Sequence, residues 1–266
     1  MVIDKEKFKV FDFRDINNNG NEIKQSFNKY GILHVENIFD IELCNQAIKV
    51  LLDIESKLDS NKNEVGLVTE CIKDSIFIKY YQGLYNVNPI FKKFFSIKLM
   101  EIAKLALSAD DLFFNEIETH IRNPGGTEIP KHQDNFYFNL AKAKGLTCYI
   151  ALNPHNIING GLNYLLSSHK KRVISHDSSD AAGFSSYISE KTVKNNMLKD
   201  IKIYEPDFKI GSVTFHHPEN IHFAKPAPTS TNRAFALSVR IFSSSEEIDL
   251  DGMERYKKNL VKNRNN

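Results

Sequence analysis

The sequence has no tryptophan, only three cysteines, no strong excess of either charge and no long apolar run. The cysteines are far apart and form no Cys-x-x-Cys pair, which argues against a disulfide scaffold and a zinc–thiolate site. A formal net charge of +2 argues against a nucleic-acid partner. No segment approaches the ~18 apolar residues of a membrane helix, and the charged start "MVIDKEKFKVFDFRD" does not resemble a signal peptide. We therefore expect a cytoplasmic protein with no membrane partner.

The first third of the chain predicts helices that follow an opening strand. The segment "YGILHVENIF" (30–39) is rich in apolar and β-branched residues, as strands are. Asp40 then fits the N-cap of a helix, because residues 41–58 carry apolar side chains at helical spacing. A second helix is predicted over 88–109, with Pro89 near its first turn.

From about residue 112 the pattern changes to short segments separated by Gly, Pro and Asn turns. The predicted strands are "LFFNEIETHIR", "HQDNFYFNL", "LTCYIAL", "NGGLNYLL", "IKIYE", "GSVTFHH" and "AFALSVRIF". Several alternate apolar and polar residues, which is typical of a β-sandwich or jelly roll. The long polar stretch around 176–196 is predicted to be a lid or binding loop. The basic tail from Arg255 onwards is interpreted as a frayed, solvated end.

A candidate metal site begins in "HQDNFYF" (132–138). If this segment is a strand, His132 and Asp134 lie on one face, and Phe136 and Phe138 follow them as candidate substrate contacts. One imidazole and one carboxylate can occupy adjacent positions on a metal ion. A second histidine would complete a 2-His-1-carboxylate site with positions left open for a co-substrate and O2.

The second histidine should come from "GSVTFHHPENIHFAKPAPTSTNR", which offers His216, His217 and His222. Arg233 follows His222 by eleven residues and opens a predicted strand. An arginine there suits a dicarboxylate co-substrate, because a guanidinium binds carboxylates in bidentate fashion and stays charged when buried. Arg240 is its rival, but it lies seven residues later and so on the opposite face of the strand.

These segments resemble the phytanoyl-CoA dioxygenase family of Fe(II)/2-oxoglutarate-dependent oxygenases. The similarity is carried by "HQDNFYF", "NGGLNYLLSSHK" and "IHFAKPAPTSTNR". It implies a mainly β fold with flanking helices and a double-stranded β-helix (jelly-roll, cupin-like) core from about 112 to 245, within a single domain over 1–266. Two positions depart from the family pattern: Ser167 stands where glycine is usual, and Ala224 where many relatives carry serine.

The resemblance assigns iron to His132, Asp134 and His222, and 2-oxoglutarate to Arg233. Because the carboxylate is present, hydroxylation is favoured over halogenation, in which relatives carry alanine at the position of Asp134. The implied enzyme is an Fe(II)/2-oxoglutarate dioxygenase that uses O2 to hydroxylate an unactivated C–H bond. Its substrate would be a small soluble metabolite, an amino acid or a natural-product intermediate, and it would release succinate and CO2.

Other assignments come from strand alternation. Thr147 or Tyr149 is predicted to reach the co-substrate. Arg122 shares a strand face with Glu118 and His120 and is predicted to meet an acidic substrate or the oxoacid. Of the remaining histidines, His217 is the main competitor for the ligand role.

Two other functions are compatible with the motifs. A metal-dependent cupin, such as a ring-cleaving dioxygenase or an isomerase, would use no 2-oxoglutarate and need no Arg233. A non-catalytic binding protein with a vestigial site would fail to bind iron.

Overall fold

In the computed structural model, residues 8–58, 65–181, 183–196, 198 and 201–264 are described. The strands are β1 (Phe11–Asp12), β2 (Ile32–Glu36), β3 (Leu67–Ile72), β4 (Ser75–Tyr81), β5 (Leu112–Arg122), β6 (Ile129–His132), β7 (Gly145–Ala151), β8 (Asn163–Leu165), β9 (Asp177–Ala181), β10 (Phe184–Tyr187), β11 (Ile203–Tyr204), β12 (Val213–His216), β13 (His222–Ala224) and β14 (Ala234–Ser243). The helices are α1 (Gly20–Tyr30), α2 (Ile41–Ser56), α3 (Leu84–Val87), α4 (Ile97–Leu107), α5 (Asn135–Phe138), α6 (Glu190–Asn195) and α7 (Leu250–Arg264).

Two sheets face each other. The larger has eight strands in the order β1-β2-β12-β7-β14-β5-β4-β3, and the smaller has four in the order β11-β8-β13-β6. Side chains of the two sheets meet between them: the hydroxyls of Tyr164 on β8 and Thr214 on β12 are 2.7 Å apart. Two facing, mostly antiparallel sheets form a jelly roll. The predicted fold class, a mainly β jelly-roll core with flanking helices, is confirmed.

The residues of β14 alternate between two environments, as strand geometry requires. Phe235, Leu237 and Val239 pack in the core that α1, α2 and α4 build on the outer face of the large sheet. Ala236 belongs instead to the core between the sheets. Odd-numbered residues of β14 therefore face the helices, and even-numbered residues face the interior of the jelly roll.

The helix predictions need one correction. Asp40 caps α2 as predicted, since its carboxylate accepts a hydrogen bond from the Leu43 N–H at 2.8 Å. The single helix predicted over 88–109 is instead divided into a 3₁₀ turn, Pro89–Phe94, and α4. The division falls where Ser96 takes an extended backbone and its side chain caps α4.

Several elements lie outside the sequence predictions, among them α1, the β3–β4 hairpin, which extends the large sheet beyond β5, and α7 near the end of the chain. In the described part of the chain, no helix has the length and apolar character needed to cross a membrane.

Candidate metal centre

The structure brings together the three residues predicted to bind a metal. His132 ends β6 and His222 begins β13, and the two are directly opposite each other in adjacent antiparallel strands. One ligand atom from each of these histidines and one from Asp134 lie within 4.8 Å of one another. The Oδ1 atom of Asp134 is 3.7 Å from His132 Nε2 and 3.5 Å from His222 Nε2.

The backbone that delivers Asp134 differs from the prediction. The strand ends at His132 instead of continuing to residue 138, and Asp134 has helical dihedral angles at the start of α5. The turn is held by Asn135, whose side chain bonds both the N–H and the carbonyl of Leu140. Asp134 therefore reaches the metal position from a turn and not from an extended strand.

This turn separates the two phenylalanines predicted to follow the ligands on one face. Phe136 is buried and stacks on the ring of His176, with ring centroids 4.0 Å apart, and it does not line the cavity beside the ligands. Phe138 does line that cavity. The prediction of a shared face is wrong, because residues two apart in a helical turn do not project the same way.

Both histidines are held in the orientation that a metal ligand needs. Nδ1 of His132 lies 2.8 Å from the Pro130 carbonyl, and Nδ1 of His222 lies 3.0 Å from the Asn220 carbonyl. Because a carbonyl only accepts hydrogen bonds, each Nδ1 must carry the proton, and each Nε2 is left with a lone pair. Hydrogen bonds of this kind fix the tautomer and orientation of metal-binding histidines.

The carboxylate is fixed through its other oxygen. Asp134 Oδ2 accepts a hydrogen bond from the Thr147 hydroxyl at 2.7 Å and lies 3.1 Å from His216 Nε2. Burial alone would raise the pKa of Asp134, but the neighbouring His222 and His216 outweigh burial and hold it well below its ordinary value. Oδ1 therefore remains an ionised oxygen directed toward the two imidazoles.

The charge states of the imidazoles complete the fit. Burial lowers the pKa of His132 and of His222, which favours neutral rings. Two neutral imidazoles and one carboxylate are a donor set typical of non-haem iron(II) sites with open positions. The residues present fit such a metal ion, and their role as its ligands stays a prediction.

His216, rather than His217, is the additional histidine at the site. His216 lies on β12 opposite Thr147 and lines the cavity. Nδ1 of His217 accepts the N–H of Glu219 at 3.1 Å, and its ring packs against His169. The expectation that His217 is the main competitor for the ligand role does not fit this arrangement.

The three candidate ligands line a cavity of about 690 Å³. Beyond them, Ile129 on β6 and Leu162, which directly precedes β8, build part of the wall. On other sides the β3–β4 hairpin, the β9–β10 hairpin and α7 close over the space, and they contribute Val68, Phe184 and Tyr256. Part of the predicted lid segment thus lines the cavity.

A buried ion pair forms one wall of this cavity. Arg240 on β14 donates to Glu118 on β5, and the same carboxylate accepts the hydroxyl of Tyr80 at 2.7 Å and lies 3.2 Å from His120 Nε2. Burial alone would raise the pKa of Glu118, but the guanidinium of Arg240 and the imidazole of His120 hold it at about 2. The pair is therefore charged at neutral pH.

Arg233 is not brought to the site. Its Nη1 and Nη2 atoms each lie 2.8 Å from an oxygen of Glu55 on α2, and its Nε donates to Asn123 at 2.8 Å. The reason is the strand register: Ala234 pairs with Arg122 and faces inward, so Arg233 points to the helices. The predicted position of Arg233 beside the metal is wrong, and the arginine that lines the cavity is Arg240.

Of the remaining predicted contacts, Thr147 lies at the cavity and Arg122 does not. Thr147 lines the cavity, although its hydroxyl is used by Asp134. Arg122 shares a strand with Glu118 and His120, as predicted, but it lies beyond the cavity wall. There its guanidinium donates to the carbonyls of Gly160, Thr127 and Lys225 at 2.8–3.0 Å. Arg122 does not meet a substrate in this arrangement.

Sequence reasoning missed one side chain that α7 places at the site. Tyr256 lies in the tail interpreted as frayed and solvated, yet it lines the cavity and packs edge-on against Phe136 and Tyr137. The helix is tied to the β9–β10 hairpin by Asn259, which bonds the hydroxyls of Ser178 and Ser186. Nothing local in a lysine- and asparagine-rich tail indicates these distant contacts.

A family model for phytanoyl-CoA dioxygenase (PhyH) matches residues 27–235, which is most of the chain. The chain therefore belongs to the phytanoyl-CoA dioxygenase family, as the sequence motifs indicate. At the level of class, this membership supports a non-haem oxygenase that uses iron and 2-oxoglutarate. No curated protein has a detectably similar sequence.

Several solved structures share the fold. The epimerase SnoN in complex with Fe3+, alpha ketoglutarate and nogalamycin RO is 13% identical, with a TM-score of 0.68 and 90% of each chain covered. EctD from S. alaskensis with 2-oxoglutarate and 5-hydroxyectoine is 17% identical, with a TM-score of 0.66, and 85% of this chain and 77% of that chain are covered. AviO1 from Streptomyces viridochromogenes Tue57 is 12% identical, with a TM-score of 0.66 and coverages of 85% and 96%.

Proposed function

We propose that this protein is an Fe(II)- and 2-oxoglutarate-dependent dioxygenase that hydroxylates an unactivated C–H bond of a small soluble metabolite. An amino acid or a natural-product intermediate is the expected substrate. The observation that carries the proposal is the convergence of His132, Asp134 and His222 on one wall of a 690 Å³ cavity. A cavity of this volume is in the range of small-molecule sites.

The fold relatives support the choice of cofactors. SnoN was solved with Fe3+ and alpha ketoglutarate, and EctD was solved with Fe and, separately, with 2-oxoglutarate. Bound iron, 2-oxoglutarate and O2 would supply the oxidant for one C–H bond, with release of succinate and CO2.

The residues of this chain would hold and orient that metal. His132 Nε2, Asp134 Oδ1 and His222 Nε2 would hold the ion, and three protein ligands would leave positions open for small ligands. The Pro130 and Asn220 carbonyls keep both imidazoles in the binding tautomer, and Thr147 keeps the carboxylate turned toward them. The protein thus presents its ligands already ordered, which lowers the cost of assembling the site.

The cavity walls would position the substrate and exclude water. Phe138, Tyr149 and Phe184 provide aromatic surface, and the Glu118–Arg240 pair provides a charged wall. Exclusion of water protects a reactive site from unproductive side reactions. The β9–β10 hairpin, inside the predicted lid segment, is the element placed to do this.

A second outcome of the same chemistry is suggested by the fold relatives. SnoN is described as an alpha ketoglutarate-dependent epimerase and SnoK as a carbocyclase, and both share this fold at low identity. Removal of a substrate hydrogen is common to these reactions, and the shape of the pocket decides which product forms. Product mass separates the outcomes: hydroxylation adds an oxygen atom, epimerisation leaves the mass unchanged, and ring closure removes a pair of hydrogens.

The proposal is tested by incubating the protein with Fe(II), 2-oxoglutarate, O2 and a library of small metabolites, and measuring succinate release. We expect at least one compound to increase succinate release and to give an oxygenated product. The Asp134→Ala variant is the control and should give neither. Turnover without 2-oxoglutarate would favour the cupin-type alternative, and failure to bind iron would favour a non-catalytic binding protein.

A further inference from the structure

The described lining of the cavity holds a single fixed cation. Among the described residues that line it, Arg240 is the only lysine or arginine. A carboxylate that enters such a cavity loses its hydration and needs a cationic or N–H partner in return. In the proposed reaction the co-substrate is itself a dicarboxylate, so the cavity has to accommodate at least one such group.

The cations behind the wall are already engaged and do not line the cavity. Arg122 donates to three backbone carbonyls, and Lys79 donates to the Thr127 hydroxyl at 2.6 Å. Arg233 is paired with Glu55 on the opposite face of the sheet. A carboxylate in the cavity would have to displace these bonds to use any of them.

Arg240, in contrast, has hydrogen-bonding capacity to spare. It donates from Nη2 to Glu118, and its Nε is buried without a hydrogen-bond partner among the described residues. A buried donor without an acceptor is unfavourable. A carboxylate would satisfy it, because charged acceptors form the strongest bonds with a guanidinium.

The surroundings hold the guanidinium in place before any acceptor binds. Glu118 is itself fixed by Tyr80 and His120, and the Phe138 ring lies 4.7 Å from the Arg240 guanidinium carbon. A pre-ordered arginine loses little conformational entropy when it binds a ligand.

Arg240 is also close to the metal centre. Its backbone lies opposite Thr147 in the adjacent strand, and the Thr147 hydroxyl bonds the candidate ligand Asp134 at 2.7 Å. A carboxylate bound by Arg240 would therefore belong to a molecule within reach of the metal.

We infer that Arg240, held by Glu118, is the residue that binds a carboxylate group inside the cavity; this inference rests on the proposed function. The carboxylate has two possible sources. It is either the distal carboxylate of 2-oxoglutarate or a carboxylate of the substrate.

The test uses two double variants of the full chain. Glu118→Gln/Arg240→Gln, the inner double variant, removes both charges of the Arg240–Glu118 pair while keeping side-chain size. Glu55→Gln/Arg233→Gln makes the same change on the other face of the large sheet and is the matched control. Thermal unfolding establishes that each variant is folded. If the inner double variant is not, Arg240→Lys replaces it, since lysine keeps the charge but loses the planar fork.

In the first arm, Fe(II) protein is titrated anaerobically with 2-oxoglutarate and the visible charge-transfer band is recorded. In the second arm, 2-oxoglutarate is kept saturating. The common amino and hydroxy acids and their primary amides are then compared by the rise they cause in the thermal unfolding midpoint.

Two results support the inference. If 2-oxoglutarate is the source, the inner double variant needs at least about 10-fold more of it, and the control variant does not. If the substrate is the source, the 2-oxoglutarate titration of the inner double variant is unchanged. At least one acid then raises the unfolding midpoint of the wild type while its amide does not. The inner double variant loses this difference between acid and amide.

The inference is overturned if the inner double variant titrates like the wild type and no acid is favoured over its amide. A band in the wild type together with that result would leave the proposed function standing. No band in the wild type would remove the proposed function itself.

Discussion

Two arginine–glutamate ion pairs lie on opposite faces of the large sheet, one at the start of β14 and one within it, and they have different surroundings although they are buried to a similar degree. The outer pair joins Arg233 to Glu55, with side chains 20% and 12% exposed. The inner pair joins Arg240 to Glu118, with side chains 17% and 6% exposed. Neither residue type nor burial distinguishes them, so the face of the sheet decides what each pair can do.

The outer pair is complete. Every nitrogen of the Arg233 guanidinium has an acceptor, two in Glu55 and one in Asn123, and the group lies over the rings of Phe77 and Phe235. It ties α2 to the start of β14, and each guanidinium nitrogen is already hydrogen-bonded on the face of the sheet away from the cavity. In the inner pair, Arg240 Nε has no hydrogen-bond partner among the described residues and lies beside the candidate metal centre, so this pair is suited to binding.

The largest expected effect concerns the chemistry on the inner side. Replacing Asp134 by alanine removes the carboxylate from the donor set, and we expect iron affinity and succinate release to fall by more than about 100-fold. Metal content after dialysis and succinate measured by mass spectrometry check this. Retention of both would show that the metal binds elsewhere.

The charge of the inner pair can be tested through the pH dependence of the free energy of unfolding. The pKa of Glu118 is held at about 2, below the ordinary value of 4.5, so its contribution to stability is full above pH 4.5 and is lost as pH falls toward 2. This loss is up to about 3 kcal/mol. Unfolding by urea between about pH 6 and about pH 3 should show a weaker pH dependence for Glu118→Gln/Arg240→Gln than for the wild type. If the free energy of unfolding changed equally with pH in the wild type and the double variant, the pairing of Glu118 with Arg240 would be contradicted.

The outer pair should affect stability and not binding. Arg233→Ala leaves Glu55 without its partner, and we expect a loss of about 2 kcal/mol, or roughly 4–8 °C in the unfolding midpoint. The 2-oxoglutarate titration of the folded variant should be unchanged. A requirement for at least about 10-fold more 2-oxoglutarate would instead support the sequence-based role of Arg233 and contradict the register of β14.

The smallest effect is expected from a neighbour of the ligands. Thr147→Val keeps the shape of the side chain but removes the hydrogen bond to Asp134 Oδ2. We expect iron(II) affinity to fall by about 10-fold, as is usual when a hydrogen bond that orients a metal ligand is lost. Competition with a chelator measures this affinity. An unchanged affinity would show that His216 alone is sufficient to orient the carboxylate.

The fold class could be predicted because strand alternation is a local signal, and it marks strands such as β5, β12 and β14. Of the candidate ligands, His132 and Asp134 form a local His-x-Asp pair, whereas the choice of His222 among the histidines of its segment depends on the resemblance to the family. The helical turn at Asp134 was missed because aromatic residues favour strands in isolation. It depends instead on hydrogen bonds between Asn135 and Leu140 that the pattern does not reveal.

The prediction for Arg233 shows why the spacing between two residues is weaker evidence when a loop separates them. Arg233 has the expected separation from His222, but in a strand a change of a single residue in register exchanges the two faces. The loop between β13 and β14 fixes Ala234 opposite Arg122, and this pairing could not be read from the sequence. The cavity contacts of Val68 and Tyr256 are likewise tertiary contacts between distant segments.

The measurement that tests the central claim most directly is the anaerobic addition of Fe(II) and 2-oxoglutarate to the metal-free protein, followed by visible absorption. We expect a charge-transfer band in the wild type that is absent in His132→Ala and retained in Glu55→Gln/Arg233→Gln. A wild-type protein that binds iron but gives no band would contradict the account, because His132, Asp134 and His222 would then hold a metal for a different chemistry.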